Sequence, residues 1–154
     1  MGKAANSSIS LKQIHVTDNF WNKYVHLVKD VIIPYQWDIL NDKLEDVETS
    51  HCIENFKIAA GEKEGEFQGA VFQDTDVAKW LEAVGFVLNY ERDEKLEELA
   101  DETIELIGRA QQPDGYLNTY FTIKEPDGRW SNLMEGHELY TACLLYTSDA
   151  ADDR

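Results

Sequence analysis

The chain has 154 residues, a hydrophobic fraction of 43% and a formal net charge of −16 at pH 7. Its length allows one domain or a part of one, and its four Trp, seven Tyr and six Phe are sufficient for a packed core. The excess of acidic residues disfavours binding to nucleic acid and to anionic membranes, because both present negative charge to a protein.

The chain contains two cysteines, Cys52 and Cys143, which are too few for a disulfide framework. His51 and Cys52 are adjacent and lack the spacing of metal ligands, so we predict no metal site within this sequence. Residues 1–10 carry one Lys and no apolar run, which is unlike a secretory signal. No segment approaches the roughly 20 apolar residues of a membrane span. These features predict a cytoplasmic protein.

The first predicted helices follow a short N-terminal segment. We expect residues 1–8 to be disordered and residues 9–16 to be extended. Thr17 or Asp18 can cap a helix, and Pro34 suits the first turn of a second helix, where its missing N–H costs nothing. In the first helix apolar residues recur every three or four positions, at Phe20, Tyr24, Leu27, Val28, Val31 and Ile32.

Residues 41–69 are polar and irregular, with a predicted helical turn near residues 53–60. A long segment of this kind is often a binding loop. Two helices are predicted next, the first capped by Asp74 or Thr75 and the second by Asp93. Because residues 89–92 form a short join, the two helices must be antiparallel neighbours.

Turns and a last helix complete the pattern. Pro113 and Gly115 are predicted to end the second helix in a tight turn, followed by an extended segment over residues 116–121. A further turn is predicted at residues 126–128, and a helix over residues 133–142. Strands do not alternate with helices, so the predicted fold class is all-α. Paired helices of this kind favour a toroid or solenoid.

The last twelve residues, 143–154, resemble the translation of a transposon-end adapter used in DNA library preparation. We therefore expect residues 9–142 to be the native part of the domain and residues 143–154 to be foreign to it. Without the three Asp and one Arg of this tail the net charge of −16 becomes −14. A genuine acidic C-terminus is the other interpretation, and the gene sequence past codon 142 would decide between them.

Several polar side chains are candidates for function, but each also has an ordinary structural role. Gln73, Asp74 and Asp76 stand at a predicted helix start, where carboxylates cap the helix and complement its dipole. On one helix, His137 and Glu138 would point about 100° apart and could not act as a pair.

The aromatic side chains and the motif search leave the function open. Tyr116 and Tyr120 flank a turn, where such rings can stack on sugars or simply pack. The sequence has no phosphate-binding glycine loop, no His-Glu-x-x-His motif and no nucleophile elbow.

Longer strings carry more information than these single residues. In order, they are Val31-Ile-Ile-Pro-Tyr-Gln-Trp37, Asn55-Phe-Lys-Ile-Ala-Ala-Gly61, Val71-Phe-Gln-Asp-Thr-Asp-Val-Ala-Lys-Trp-Leu-Glu82, Ala110-Gln-Gln-Pro-Asp-Gly-Tyr-Leu117 and Gly136-His-Glu-Leu-Tyr140. Together they resemble glycoside hydrolase family 127, the β-L-arabinofuranosidases, from about Ile9 to Ala142. The resemblance implies an incomplete (α/α)6 barrel that contains the first helical hairpins only.

The resemblance also implies a chemistry. The family consists of retaining hydrolases that release terminal β-L-arabinofuranosyl units from plant-derived glycans. Their nucleophile is a cysteine thiolate held on zinc, and their acid/base is a glutamate. Zinc and these residues are expected in full-length members, downstream of this sequence, and neither Cys52 nor Cys143 matches them. We therefore expect no catalytic residue here and an inactive chain.

For the substrate, the resemblance implies that His137 lines the sugar pocket, where an imidazole can hydrogen-bond a sugar hydroxyl. Asp74, Asp76 and Tyr116 lie in shared motifs, and we expect Asp74 and Tyr116 to support substrate binding. The loop of residues 41–50 is shorter than in many relatives, which leaves the glycan specificity open.

Two other functions remain open at this level. The first is a helical-repeat binding module whose acidic face recruits a basic partner. The second is another sugar-active (α/α)6 enzyme, such as an unsaturated uronyl hydrolase, for which Asp74 and Asp76 would be the catalytic candidates.

Overall fold

The computed structural model describes Ile9 and residues 11–151, and none of these residues lies in a β-strand. This confirms the all-α class, whereas the predicted disorder of residues 1–8 falls outside the described residues. The helices are α1 (Asn19–Leu27), α2 (Ile33–Leu40), α3 (Cys52–Ala59), α4 (Asp74–Tyr90), α5 (Glu94–Ala110), α6 (Thr119–Ile123), α7 (Leu133–Gly136) and α8 (Glu138–Ala151).

Helices α1 and α2 are joined by a π-helical segment, Val28–Ile32. Asp18 caps α1 as predicted, since its carboxylate accepts hydrogen bonds from the backbone N–H groups of Phe20 and Trp21. The N–H of Ile33 donates to the carbonyl of Val28, five residues back. The next residue, Pro34, has no N–H to donate. It lies in the first turn of α2, as predicted.

The segment before α1 differs from the prediction. Leu11–Gln13 form a 3-10 turn in place of an extended segment. The apolar stripe of α1 is helical, as predicted, but no α1 residue is buried.

Helix α4 lies at the centre of the described fold and contacts α2, α3, α5 and α8. Trp80, in the middle of α4, is 2% exposed. Its indole packs on the ring of Trp37 at a ring-centroid distance of 4.5 Å, and its Nε1 donates a hydrogen bond to the carbonyl of Ile33 at 3.1 Å. This contact ties α2 to the middle of α4. The buried residues of α4 are Asp74, Thr75, Val77, Ala78, Trp80, Leu81, Val84 and Val87.

Helix α5 begins and ends as predicted. Asp93 caps it by accepting from the N–H groups of Lys95 and Leu96 at 3.1 and 3.2 Å. The helix ends at Ala110. The turn that follows is closed by the N–H of Gly115, which donates to the carbonyl of Gln112 at 2.8 Å.

The polar segment between α2 and α4 is held in place by side-chain hydrogen bonds. Asp42 accepts from the N–H groups of Ser50 and His51 at 2.6 and 3.0 Å. The buried Asn55 of α3 exchanges two bonds with the backbone of Gln68, at 2.8 and 3.2 Å. The predicted helical turn near residues 53–60 is confirmed as α3.

Two predictions for the last third of the chain are wrong. Residues 116–121 are not all extended, because Asn118 accepts from the N–H of Phe121 and starts α6. Residues 133–142 do not form one helix, because His137 adopts a left-handed conformation, φ 51°, between α7 and α8. Gly136 allows the close approach there, since a Cβ at this position would lie 2.9 Å from Cζ of Phe121. No helix in the described part of the chain is long and apolar enough to cross a membrane.

Gly108 and Gly115 give a matched test of backbone conformation. A Cβ at either position meets no atom within 4 Å, but only Gly115 has a positive φ, +85°. We expect Gly108→Ala to slow amide exchange in α5, because Ala is favoured over Gly in a helix by roughly 0.8–1.0 kcal/mol. Gly115→Ala should speed exchange in the turn of residues 111–117, because a Cβ is unfavourable there by about 1–2 kcal/mol. Hydrogen–deuterium exchange measures both rates. A change in the same direction in both variants would contradict the helical backbone at Gly108 and the left-handed backbone at Gly115.

Candidate site at the starts of three helices

The starts of α4 and α6 are joined by a buried carboxylate. Asp74 is 1% exposed, and its two oxygens accept from the N–H and the hydroxyl of Thr119, at 2.7 and 2.5 Å. The predicted capping role of Asp74 is wrong, because the side chain turns away from its own helix to the start of α6. Burial raises the pKa of Asp74 to about 6, although both bonds from Thr119 oppose the rise.

A second buried carboxylate, Glu138, stands at the start of α8 and is 2% exposed. One oxygen accepts from the hydroxyl of Tyr116 and the other from the backbone N–H of Trp130, at 2.8 Å. Glu138 thus joins α8 to the turn after α5 and to the segment between α6 and α7. Its two partners leave neither oxygen without a donor, as a buried carboxylate requires.

The ring of Tyr116 is enclosed by several neighbours. The guanidinium of Arg129 lies 4.1 Å from the ring centroid, and the indole of Trp130 stands edge-on to it at 5.4 Å. Burial, and then the hydrogen bond to Glu138, raise the pKa of the Tyr116 hydroxyl, so it remains a hydrogen-bond donor.

His137 lies directly before Glu138 and is half-buried. Its ring is edge-on to Phe72 at 5.3 Å and near Tyr140 at 6.3 Å. Since His137 is not helical, its direction relative to Glu138 is not the 100° predicted for one continuous helix. The two residues instead have separate environments: Glu138 is buried and hydrogen-bonded, and the imidazole of His137 contacts two aromatic rings.

Gln73 and Asp76 form a polar group on the adjoining loop. The Gln73 amide donates to the hydroxyl of Ser50 and to the carboxylate of Asp76, at 3.3 and 3.1 Å. Asp76 also pairs with Lys79 at 3.2 Å. Gln73 provides no side-chain cap to α4, contrary to the prediction. Asp76 lies in the first turn of α4, as predicted.

Reasoning from the sequence gave no function to three residues of this site: Glu138, Arg129 and Trp130. The position of Glu138 next to His137 in a shared string was the available signal. Nothing in the local pattern indicates that Glu138 bonds to Tyr116, 22 residues earlier.

No group of three or more His, Cys, Asp or Glu in the described residues could hold a metal ion. Cys52 is buried, and its Sγ lies 3.2 Å from the carbonyl oxygen of Gln73. Burial, and then the charge of Asp74, raise the pKa of this thiol, which disfavours the thiolate that binds metals.

Comparison with known proteins identifies relatives of this chain. The family model for the β-L-arabinofuranosidase catalytic domain of glycoside hydrolase family 127 matches residues 13–151. The chain is 39% identical over 143 residues to a non-reducing end β-L-arabinofuranosidase of Bifidobacterium longum subsp. longum, covering 82% of this chain and 22% of that protein.

Two solved structures are similar as well. A family 127 β-L-arabinofuranosidase from Geobacillus stearothermophilus T6 has 60% identity and a TM-score of 0.88, over 89% of this chain and 22% of that one. A family 127 β-arabinofuranosidase has 28% identity and a TM-score of 0.81, over 93% of this chain and 23% of that one. The chain therefore spans about a fifth of the length of these relatives.

The raised pKa of Asp74 predicts a pH-dependent stability. The folded-state pKa of about 6 exceeds the ordinary 3.8, so the folded chain binds the proton more tightly. The free energy of unfolding that this tighter proton binding adds is fully present below pH 3.8 and is lost as the pH rises through 6. Relative to Asp74→Asn, the unaltered chain should lose on the order of 3 kcal/mol of unfolding free energy between pH 4 and pH 7.

Urea unfolding at each pH measures this difference. Thr119→Val should shift the loss to higher pH, because it removes a hydrogen bond that favours the charged carboxylate. A difference between the unaltered chain and Asp74→Asn that stays constant from pH 4 to pH 7 would contradict the prediction.

Proposed function

Because the chain belongs to glycoside hydrolase family 127, we propose that it forms part of a retaining hydrolase that releases terminal β-L-arabinofuranosyl units from plant-derived glycans. The proposal draws on the family match over residues 13–151 and on the activity for which the relatives are named. The chain spans 22% of two of these relatives, so the activity is proposed for the whole protein to which such a segment contributes.

The observation that best supports this role is the group of side chains held around Glu138, which we call the wall: Tyr116, Trp130 and His137. The carboxylate fixes Tyr116 and Trp130 from inside, and the adjacent His137 remains half-buried beside Phe72. An imidazole beside two aromatic rings still has two ring nitrogens that can hydrogen-bond a sugar hydroxyl. We assign His137 to direct substrate contact, and Tyr116 and Asp74 to supporting this wall.

The described residues do not fit the zinc centre expected in full-length members. Among them no three His, Cys, Asp or Glu side chains form a ligand cluster, and the Cys52 thiol is enclosed at the start of α3. We therefore place the nucleophile, the acid/base and the zinc ligands elsewhere in the whole protein, and we assign no catalytic residue to residues 9–142.

A uronyl hydrolase is less well supported, because it needs Asp74 and Asp76 to act on a substrate. Asp74 is 1% exposed and both of its oxygens are bonded to Thr119. The family match likewise favours a hydrolase over a helical-repeat binding module.

The proposed function predicts that this 154-residue chain does not hydrolyse an aryl β-L-arabinofuranoside by itself. A hybrid enzyme, in which residues 13–142 replace the aligned segment of the Geobacillus stearothermophilus relative, should hydrolyse it. Release of the aryl group measures both, and the unaltered relative is the control. Turnover by the chain alone would overturn the assignment of catalysis to other residues, and a folded but inactive hybrid would count against the function.

His137 provides the sharper test in the same hybrid. We expect His137→Ala to lower kcat/KM at least about tenfold, because a lost hydrogen bond of roughly 0.5–1.5 kcal/mol is accompanied by an unpaired sugar hydroxyl. The melting temperature should change little. His15→Ala, His26→Ala and His51→Ala are the controls and should have much smaller effects. Full activity of His137→Ala, or a loss of stability alone, would show that His137 is a structural histidine.

A further inference from the structure

Two histidines of the described chain have the same backbone conformation at the same place, directly before a helix. His51 precedes α3 with a φ of 56°, and His137 precedes α8 with a φ of 51°. Both values lie in the left-handed region, which is uncommon for a residue with a Cβ. Because such a backbone persists only where the surroundings impose it, each histidine must be held by contacts outside its own residue.

At His51 these contacts come from the carboxylate of Asp42 and include the imidazole. Asp42 accepts from the N–H groups of Ser50 and His51 at 2.6 and 3.0 Å, which closes the loop of residues 42–51. The same carboxylate lies 3.3 Å from Nδ1 of His51. Asp42 therefore holds both the backbone and the ring of His51.

At His137 a carboxylate closes a loop in a similar way, but without bonding to the imidazole. Glu138 accepts from the N–H of Trp130 at 2.8 Å, which closes residues 130–138, and its other oxygen accepts from the hydroxyl of Tyr116. Among the described residues, neither ring nitrogen of His137 takes part in a hydrogen bond or an ion pair, and the ring contacts are aromatic. The imidazole thus makes no polar contact within this part of the chain that would offset its unfavourable backbone.

The chain is fixed on both sides of His137. On one side Gly136 is packed so closely that a Cβ would lie 2.9 Å from Cζ of Phe121. On the other side the carbonyl of His137 accepts from the N–H of Thr141 at 2.9 Å, in the first turn of α8. The Glu138 carboxylate anchors this turn from inside. The direction of the imidazole therefore depends on whether Glu138 keeps its two partners.

We propose that Glu138 is a positioning residue for His137: it anchors the start of α8, so the His137 backbone stays left-handed and the imidazole stays against its two aromatic neighbours. For its effect on catalysis this inference rests on the proposed function, in which His137 contacts the sugar. Glu138 is 2% exposed and both of its oxygens are bonded within the protein. It therefore acts through His137 and does not itself contact the substrate.

Proton NMR of the histidine rings tests this positioning in the 154-residue chain and requires no activity. The signals of the four histidines are assigned from the four His→Ala variants. We expect Glu138→Ala to move the ring signals of His137 toward those of the exposed His26. The reason is that the imidazole leaves its present position beside Phe72 and Tyr140, whose ring currents shift its signals.

Asp42→Ala is the matched control, since Asp42 closes the loop before the other left-handed histidine. It should move the ring signals of His51 and leave those of His137 in place, whereas Glu138→Ala should do the reverse. The indole N–H signal of Trp80, which is buried and bonded to a backbone carbonyl, reports whether each variant is folded.

Two further variants separate the hydrogen bonds of Glu138 from its general effect on folding. Glu138→Gln should keep the His137 signals in place, because its amide can accept from the N–H of Trp130 and donate to the hydroxyl of Tyr116. Tyr116→Phe removes one partner and should move the signals in the same direction as Glu138→Ala, by less. It decides the test if Glu138→Ala does not fold.

Three results would overturn the positioning role. The first is unmoved His137 signals in folded Glu138→Ala, or in folded Tyr116→Phe where Glu138→Ala does not fold. The second is a shift of the His137 signals in Glu138→Gln as large as in Glu138→Ala. The third is an equal shift of the His51 and His137 signals in Glu138→Ala.

A double-mutant cycle in the hybrid enzyme tests the effect on catalysis. Glu138→Ala should lower kcat/KM about tenfold in the unaltered hybrid, but less than about twofold in a hybrid that carries His137→Ala, because a residue that acts through His137 has nothing left to position there. Equal losses in the two backgrounds would overturn the positioning role. A folded hybrid that hydrolyses no arabinofuranoside would instead contradict the proposed function, and the histidine signals would still decide the role of Glu138.

Discussion

The burial of α4 is the constraint on which the rest of the structure depends. Its sides are covered by other helices, so its polar N-terminal residues must find partners inside the protein. Asp74 finds them in Thr119, which places the start of α6 against the start of α4. Trp80 does the same for α2 through the carbonyl of Ile33. The apolar contacts hold the helices together, and these few polar bonds set their register.

The candidate site also depends on the need of a buried carboxylate for hydrogen-bond donors, here at Glu138. Glu138 cannot be buried without donors, and the two that it has come from segments on either side of α6. In satisfying one charge the fold brings together Tyr116, Trp130 and the backbone next to His137. The positions of these groups are therefore fixed by hydrogen bonds to one buried carboxylate.

Local patterns predicted much of the fold, because helices depend on nearby residues. The caps at Asp18 and Asp93, the first-turn position of Pro34 and the end of α5 all follow from side chains within four residues of the feature. Asp74 and His137 were misjudged for the opposite reason. The carboxylate of Asp74 bonds to Thr119, 45 residues away. The left-handed backbone of His137 interrupts a stretch whose composition is compatible with one helix. Similarly, no pattern near Glu138 could indicate Tyr116.

The π-helical segment between α1 and α2 has a geometric consequence. Each residue of an α-helix advances the chain by a rotation of about 100°. The N–H of Ile33 donates to the carbonyl of Val28, five residues back instead of four, so the turn contains one extra residue. Ile33 and Leu40 of α2 are buried, whereas α1 has no buried residue. The extra residue thus rotates the side chains of α2 about the helix axis relative to those of α1. It lets a single run of sequence present its apolar side in two directions, one toward α4 and one outward.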